Sequence, residues 1–425
     1  MASKISVAVI GTFDSKLQEY LYLRSQILHH DPSVNVILID AGRAATEHEA
    51  ITIKQTDVLK ASGYEGHDDT FNSLPRAEVV KTMISGAATV IRQLLERGEF
   101  QAIIGLGGSS GTNIAAAVMR QLPLTFPKLI VSTVASGDTK LYVAETDITM
   151  MYSVVDIAGL NEVLKAVVDN AAAAIVGMAR AYATRIRRGQ TEDEKKMIGI
   201  TMFGVTTKGA DAARVWLERN GFEVCVFHAT GAGGRAMERL AREGKLHGIL
   251  DLTTTELADE LVGGVFSAGS DRLTAAAQAG VPQIVSVGAL DMVNFGPRDA
   301  VPAKFQERKL YEHNPSVTLM RTTVEECEEL GRRLAKRLRE NCAKPLLTEV
   351  WLPSRGVSMI AVEGQPFHDE AADAALFTTI KKELRGSGIR VIDVDSDIND
   401  ASWAENLAQR LAQLIERNNE GKEVG

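Results

Sequence analysis

Short apolar runs rich in β-branched residues recur in the same order in both halves of this sequence, with helix-like stretches between them. In the first half they are Ile5–Thr12, Val34–Asp40, Ala102–Leu106 and Lys128–Val134. In the second they are Ile198–Thr207, Glu223–His228, Gly248–Leu252 and Gln283–Val287. A strand that is apolar on both faces has to be covered on both faces, and parallel strands need long crossovers, which helices supply. The pattern predicts an α/β chain made of two doubly wound, Rossmann-like parallel sheets with a crevice between them. The likeness between the halves is one of pattern, not of residues. It fits either two copies of one unit or two independent α/β domains.

The most polar stretch, Arg185–Lys196, separates the halves and reads as a link. This predicts one domain over residues 1–186 and a second over 197–425. Beyond the shared pattern, Val324–Asn341 and Asp369–Leu384 read as helices. Thr348–Leu352, Val357–Ala361 and Arg390–Val394 read as strands. Ala401–Arg417 reads as a last helix, and Asn418–Gly425 as a frayed polar tail.

A net charge of −8 with no basic stripe argues against a nucleic-acid partner. No apolar run reaches the roughly 18 residues that cross a membrane. The three cysteines are far apart and lack metal-ligand spacing, which fits a reducing compartment. The N-terminus runs straight into the first strand with no signal-peptide pattern, so a cytoplasmic location is expected.

Parallel α/β sheets bind ligands beyond the carboxyl ends of their strands. The third run of the first half ends in Gly105-Leu106-Gly107-Gly108-Ser109-Ser110-Gly111-Thr112, with a helix expected from about Asn113. Glycines let a backbone approach phosphate oxygens, and the amides and positive end of the helix then hold the anion. The lysine of a Walker A loop is missing. The alternative is a tight strand–helix turn. Four glycines with three hydroxyls favour a phosphate-bearing ligand, a nucleotide. After the first strand comes Gly11-Thr12-Phe13-Asp14-Ser15-Lys16. There Asp14 either caps the next helix or faces the crevice, holding a magnesium water or a ribose. The loop Ser132–Thr139 would lie alongside. The expected nucleotide contacts are therefore Thr12, Asp14, Lys16, Gly105, Gly107, Gly108, Ser109, Ser110, Gly111, Thr112, Ser136, Gly137 and Asp138. Asp14 and Asp138 are the expected ligands of Mg2+.

Polar strand ends in the second half are His228–Arg235, Asp251–Glu256 and Gly288–Pro297. One topology gathers His228, Arg235, Glu256, Asp291 and Asn294 around one crevice. That set offers an acid or base, an anion clamp and carboxylates for metal or proton transfer. Tyr311–Pro315 reads as a polar turn carrying His313, and Glu363–Asp369 as a loop carrying His368. No Cys/His cluster points to zinc, and no Gly-x-Ser-x-Gly elbow to a serine hydrolase.

The stretches Gly105–Asn113, Ile130–Gly137, Ser153–Asn161, Thr201–Thr207, Phe227–Met237, Asp251–Asp259 and Ser286–Pro297 closely resemble the Tm-1-like proteins, also grouped as UPF0261. The resemblance runs from about Lys4 to about Leu414. It implies an ATP-binding first domain, a second α/β domain and a homodimer, and nothing firm about a reaction. Plant members, one of which inhibits tomato mosaic virus replication, carry a further C-terminal barrel that this sequence lacks, so an antiviral role is not carried over. Where this sequence reads Gly-Thr-Phe-Asp-Ser-Lys, the family is expected to read Asp-Thr-Lys; Ser15 keeps the hydroxyl.

Two hypotheses follow. In the first the chain is a metabolic enzyme using nucleotide and Mg2+ on a small carboxylate-bearing molecule. Arg235 neutralises charge, and His228 or Glu256 acts on the substrate with Asp291 at hand. In the second it is a nucleotide-gated regulatory protein without turnover. Hydrolysis or isomerisation of a metabolite by the second domain alone is a third.

Overall fold

The computed structural model describes residues 4–66, 68–188 and 195–423. The chain divides into two units, Met1–Glu192 and Asp193–Gly425. In the first, β1 (Ser6–Gly11), β2 (Asn35–Asp40), β3 (Ile51–Ile53), β4 (Ala102–Gly107), β5 (Lys128–Ser132) and β6 (Thr149–Tyr152) form one sheet in the order β3-β2-β1-β4-β5-β6. Every pairing is parallel. The apolar runs are continuous because both faces are covered. Ala8 and Ile10 pack with Met83 and Ile91 of the helix Arg76–Glu96 on one face. Val7 and Val9 pack with Leu23 of the helix Phe13–His30 and Ile175 of the helix Glu162–Arg188 on the other. Alternate side chains of one strand thus serve two cores, as the two-residue period requires.

In the second unit, β7 (Met197–Met202), β8 (Glu223–His228), β9 (Gly248–Thr253) and β10 (Gln283–Gly288) precede a small antiparallel sheet. That sheet is β11 (Met292–Phe295), β12 (Leu310–Asn314) and β13 (Val317–Arg321), ordered β11-β13-β12. Then β14 (Thr348–Pro353) and β15 (Arg390–Val394) complete the main sheet, β15-β14-β10-β9-β7-β8, again parallel throughout. Ile198, Leu250 and Ile284 pack with Trp403 and Leu407 of the helix Ala401–Glu423. Val285, Val287 and Val350 pack with Leu334 of the helix Val324–Asn341 and Ile380 of the helix Glu370–Glu383.

Setting β3 and β15 aside, the sheets read β2-β1-β4-β5-β6 and β8-β7-β9-β10-β14. In chain order both are second, first, third, fourth, fifth, so the repeated order of runs is a repeated topology. Each sheet reverses its winding beside its first strand, at β1/β4 and at β7/β9, where α/β folds bind ligands.

Four sequence expectations differ from the structure. Val357–Ala361 is a turn, not a strand: Ala289 N donates to Val357 O (2.8 Å) and Met359 N to Val205 O (2.9 Å), so Val357, Ile360 and Ala361 fill the core without a ladder while Met359 is exposed. Tyr311–Asn314 lies in β12, and Pro315-Ser316 is the turn of a hairpin. The last helix runs on through Asn418 to Glu423, with Lys344 Nζ on Asn418 Oδ1 (2.9 Å). Arg185–Arg188, expected in the link, end the helix Glu162–Arg188; residues 189–194 of that link lie outside the described residues.

Candidate functional site

The first unit has a cavity of about 350 Å³ beyond the carboxyl ends of β1 and β2. The loop after β1 supplies Thr12, Asp14 and Ser15, and the loop after β2 supplies Arg43. Arg76 and Ser110 come from the first turns of two helices, Arg76–Glu96 and Ser109–Met119. Val79, Met83 and Ile114 form an apolar wall. The helix after β4 begins at Ser109, four residues before the expected Asn113, with Gly108 as N-cap and no side-chain cap. Its first-turn amides at Ser109, Ser110 and Gly111 precede the first intrahelical bond, which Thr112 N makes to Gly108 O (2.9 Å). The Arg76 guanidinium donates to Ser110 Oγ (2.8 Å), which places a cation over that helix end.

The glycines there have two kinds of work. A Cβ on Gly107 would stand 2.8 Å from Gly111 Cα, and one on Gly105 would stand 2.7 Å from the Ala115 methyl. Both let the helix lie close on its strand. A Cβ on Gly108 would meet nothing closer than Thr133 Oγ1 at 3.7 Å, and Ser109 is exposed. Thr112 is buried, and its Oγ1 bonds Gly107 O (3.2 Å) and Ser132 Oγ (2.7 Å), so this hydroxyl fixes the turn and does not face the cavity.

Asp14 does not cap its helix. Its Oδ2 accepts from Arg43 N (2.9 Å) and Ala44 N (3.1 Å), tying down the loop after β2. Lys16 Nζ donates to the Ile157 carbonyl, away from the cavity-lining residues. Ser136, Gly137 and Asp138 are exposed and do not line the cavity, and Asp138 Oδ1 accepts from Lys140 N (2.9 Å). Among the described residues no group of three or more His, Cys, Asp and Glu side chains is placed to hold a metal ion. Three residues were missed by the site reading. Arg43 and Arg76 line the cavity. Asp40, at the end of β2, accepts from Phe13 N (3.2 Å) and Gly42 N (2.9 Å) through Oδ1, while its buried Oδ2 has no partner. Burial pushes its carboxyl up to about 6, against the pull of those amides. Pro75, which precedes the helix carrying Arg76, is a visible helix-start signal.

In the second unit the glycine-rich turn after β8 is built over the protein's own anion. Glu256 Oε1 accepts from Gly231 N (2.7 Å) and Gly234 N (3.1 Å), and Oε2 accepts from Arg272 Nε (2.6 Å). A Cβ on Gly234 would fall 2.0 Å from Glu256 Oε2. Arg272 is 1% exposed and also holds Asp251 (2.5 and 2.6 Å) and Glu238 (3.2 Å). Burial works against its charge, but the three carboxylates outweigh this and keep the guanidinium well above its usual range. Burial raises Glu238 and Glu256 despite Arg272. Glu256, expected to act on a substrate, is thus a buried anchor of the turn.

The five residues expected around one crevice are not gathered there. Asp291 is buried, with Ser358 Oγ donating to Oδ2 (2.8 Å) and Oδ1 unpartnered. Asn294 is buried on β11 against Asp259 Oδ1 (3.1 Å) and Thr255 Oγ1 (3.3 Å). Arg235 is half-buried and donates to Ser267 O (3.1 Å). Only His228 of the five lines the cavity of about 180 Å³ beyond β7 and β8. Phe203 and Phe266 form its aromatic wall, and His313, from β12, lines it too. His368 lies instead in a separate cavity of about 620 Å³ with Arg355, Glu363 and Asp373. The hairpin that delivers His313 was the missed element; Val317-Thr318-Leu319-Met320 after an Asn-Pro-Ser turn was its signal.

Residues 5–184 match the N-terminal domain, and residues 195–415 the C-terminal domain, of the uncharacterised protein family UPF0261. A UPF0261 protein of Clostridium tetani is 43% identical, over 97% of this chain and 99% of its own length. The tomato (Solanum lycopersicum) ToMV resistance protein Tm-1(GCR237) is 37% identical over 96% of this chain, which spans only 55% of that protein. Among solved structures, a UDP-GlcNAc 2-epimerase from Neisseria meningitidis bound to UDP-GlcNAc is 13% identical with a TM-score of 0.20, covering 66% of this chain and 82% of that one. That score is too low to support any statement about this chain. Both family domains and near-full-length relatives agree: the chain is a Tm-1-like member of the UPF0261 family.

Proposed function

We propose that the first unit binds ATP and the second a small carboxylate-bearing molecule, so that the chain is a metabolic enzyme. The observation that carries the nucleotide is the uncapped helix Ser109–Met119 with Arg76 over its first turn, in a cavity beside the β1/β4 reversal. Amides and guanidinium together are an anion site. The β8 turn offers a contrast: there Glu256 already occupies the corresponding helix end. The apolar wall of Val79, Met83 and Ile114 suits a nucleobase, and Arg43 a second phosphate. Mg2+ would be held by Asp14 with phosphate oxygens, since Mg2+ typically uses one or two carboxylates plus phosphates. Asp138, outside the cavity, has no part in this reading. The family resemblance adds a homodimer, which sedimentation tests.

Gly107→Asp is a poor test, because any side chain there strikes the helix. Ser109→Asp is better. Ser109 is exposed, and an acid in the first turn stabilises a helix by about 0.3–1 kcal/mol while repelling phosphate. Calorimetry with ATP and ADP, with and without Mg2+, should show at least tenfold weaker binding for Ser109→Asp and for Arg76→Gln. Unchanged affinity in both variants rejects the site. Tight ATP binding with no ADP formed in the presence of any small acid leaves the site standing and removes the enzyme.

A further inference from the structure

We infer that the cavity lined by His228 and His313 is a binding site for a small arene monocarboxylate. The inference rests on the proposal that the second unit takes a carboxylate, and it narrows the class to one planar ring bearing one acid group.

Size sets the first limit. Pockets for drug-sized ligands run about 300–1,000 Å³. A cavity of about 180 Å³ takes a fraction of such a molecule, a single ring with its substituent.

The walls set the second. Phe203 and Phe266 meet edge to face, with centroids 6.1 Å apart and planes at 66°. The His228 imidazole leans on Phe203 at 5.4 Å and 34°. Val317 and Leu319 line the cavity from the hairpin. A planar ring entering this space finds aromatic faces and edges already arranged for offset or edge-on contacts.

The polar groups set the third. Along β12 and β13, Glu312 stands opposite Thr318 and Asn314 opposite Val317, so His313 is the extra residue of a bulge. Bulges re-aim a side chain and are common beside active sites. The turn that follows is pinned by Asn314 Oδ1, which accepts from Ser316 N and Ser316 Oγ (both 2.9 Å). The second imidazole comes from a different element, the end of β8. An imidazole offers an N–H donor in either ionisation state, so two of them suit the two oxygens of a carboxylate. No Asp or Glu is among the residues that line the cavity, so no lining carboxylate opposes an anion.

The test is direct binding to the full chain by calorimetry and ligand-observed NMR, with benzoate, succinate, benzyl alcohol and adenine as probes. Benzoate is expected to bind at least tenfold more tightly than the other three. His228→Ala and His313→Ala should each weaken it at least tenfold. Both side chains are exposed, so neither change should disturb the fold, which circular dichroism checks. Gly204→Leu should abolish binding: Gly204 lines the cavity, and a Cβ there meets no atom within 4 Å. If succinate binds best and loses affinity with His228→Ala, the arene inference fails and the carboxylate reading stands. If adenine alone binds, or no acid binds, both fail. Benzoate binding that survives all three substitutions overturns this cavity as its site.

Discussion

Asp291 offers the most quantitative test of how the second unit is built. It follows β10, is 1% exposed, and leaves Oδ1 without a partner. Burial moves its carboxyl from the ordinary 3.8 to about 7; Arg321 pulls down and Asp373 pushes up. Arg321 is itself committed to Asp373 (2.7 Å), Phe367 O (2.9 Å) and Thr322 Oγ1 (2.8 Å). The folded state therefore holds this proton more tightly than the unfolded chain. Below the unfolded value both states are protonated, and Asp291 does not affect stability through charge. As pH rises through the window up to about 7, stability is lost at about 1.4 kcal/mol per pH unit. Over the whole window the loss is about 4 kcal/mol. Asp291→Asn keeps the shape and an acceptor for Ser358 but cannot ionise. The variant should match the parent at about pH 4 and below, and exceed it by about 4 kcal/mol at pH 8. All three tryptophans, Trp216, Trp351 and Trp403, lie in the second unit, so urea unfolding followed by their fluorescence reads this unit alone. Asp259, also pushed up to about 7 by burial, is common to both proteins and cancels in the difference. Parallel stability curves for the two proteins from pH 5 to 8 would refute the argument, because Asp291 would then be ionised in the fold at no cost.

Arg272→Met removes the guanidinium bonded to Asp251, Glu256 and Glu238 in their buried cluster and should lower the same fluorescence-detected stability by about 3–5 kcal/mol. Because burial already raises Glu238 and Glu256, that deficit should shrink as the pH falls; a deficit independent of pH would contradict the charge argument. Tyr20→Phe removes the buried hydroxyl that bonds both the carbonyl and the amide of Leu106, costing about 1–3 kcal/mol, and should speed hydrogen exchange at the Leu106 amide. Thr323→Ala breaks the capping box with Glu326 (2.8 and 3.2 Å) and should cost about 1 kcal/mol in urea unfolding; no change would mean that the helix Val324–Asn341 is held by packing alone.

The layered α/β architecture was legible because burial on both faces leaves a strong mark. Runs such as Val7–Ile10 and Ile103–Ile104 carry no polar residue, and each feeds two cores. Repetition of the runs could be read, but the strand order could not, since pairing across the sheet has no local signal. Val357–Ala361 shows the converse limit. Its Val357, Ile360 and Ala361 are as buried as the residues of a strand, yet they plug a core through turns, and composition does not distinguish the two. The β11–β13 sheet escaped because Asn294, Glu312 and His313 gave its short strands a polar, turn-like look.

The two glycine-rich turns explain why the candidate sites were harder to read than the fold. Gly231-Ala232-Gly233-Gly234 and Gly105–Gly111 both join a strand to a helix, and both look like anion cradles. What separates them lies elsewhere in the chain. In one, a carboxylate 22 to 25 residues away reaches the glycine amides and is held from behind by Arg272. In the other no side chain caps the helix, and an arginine 34 residues away stands over its first turn. The first arrangement is complete within the protein, while in the second the donors and the cation meet no side-chain cap at the helix end. Glycine content alone therefore says only that a backbone can come close to something. Whether that is Glu256 or a phosphate depends on long-range partners, which only the folded chain brings into place.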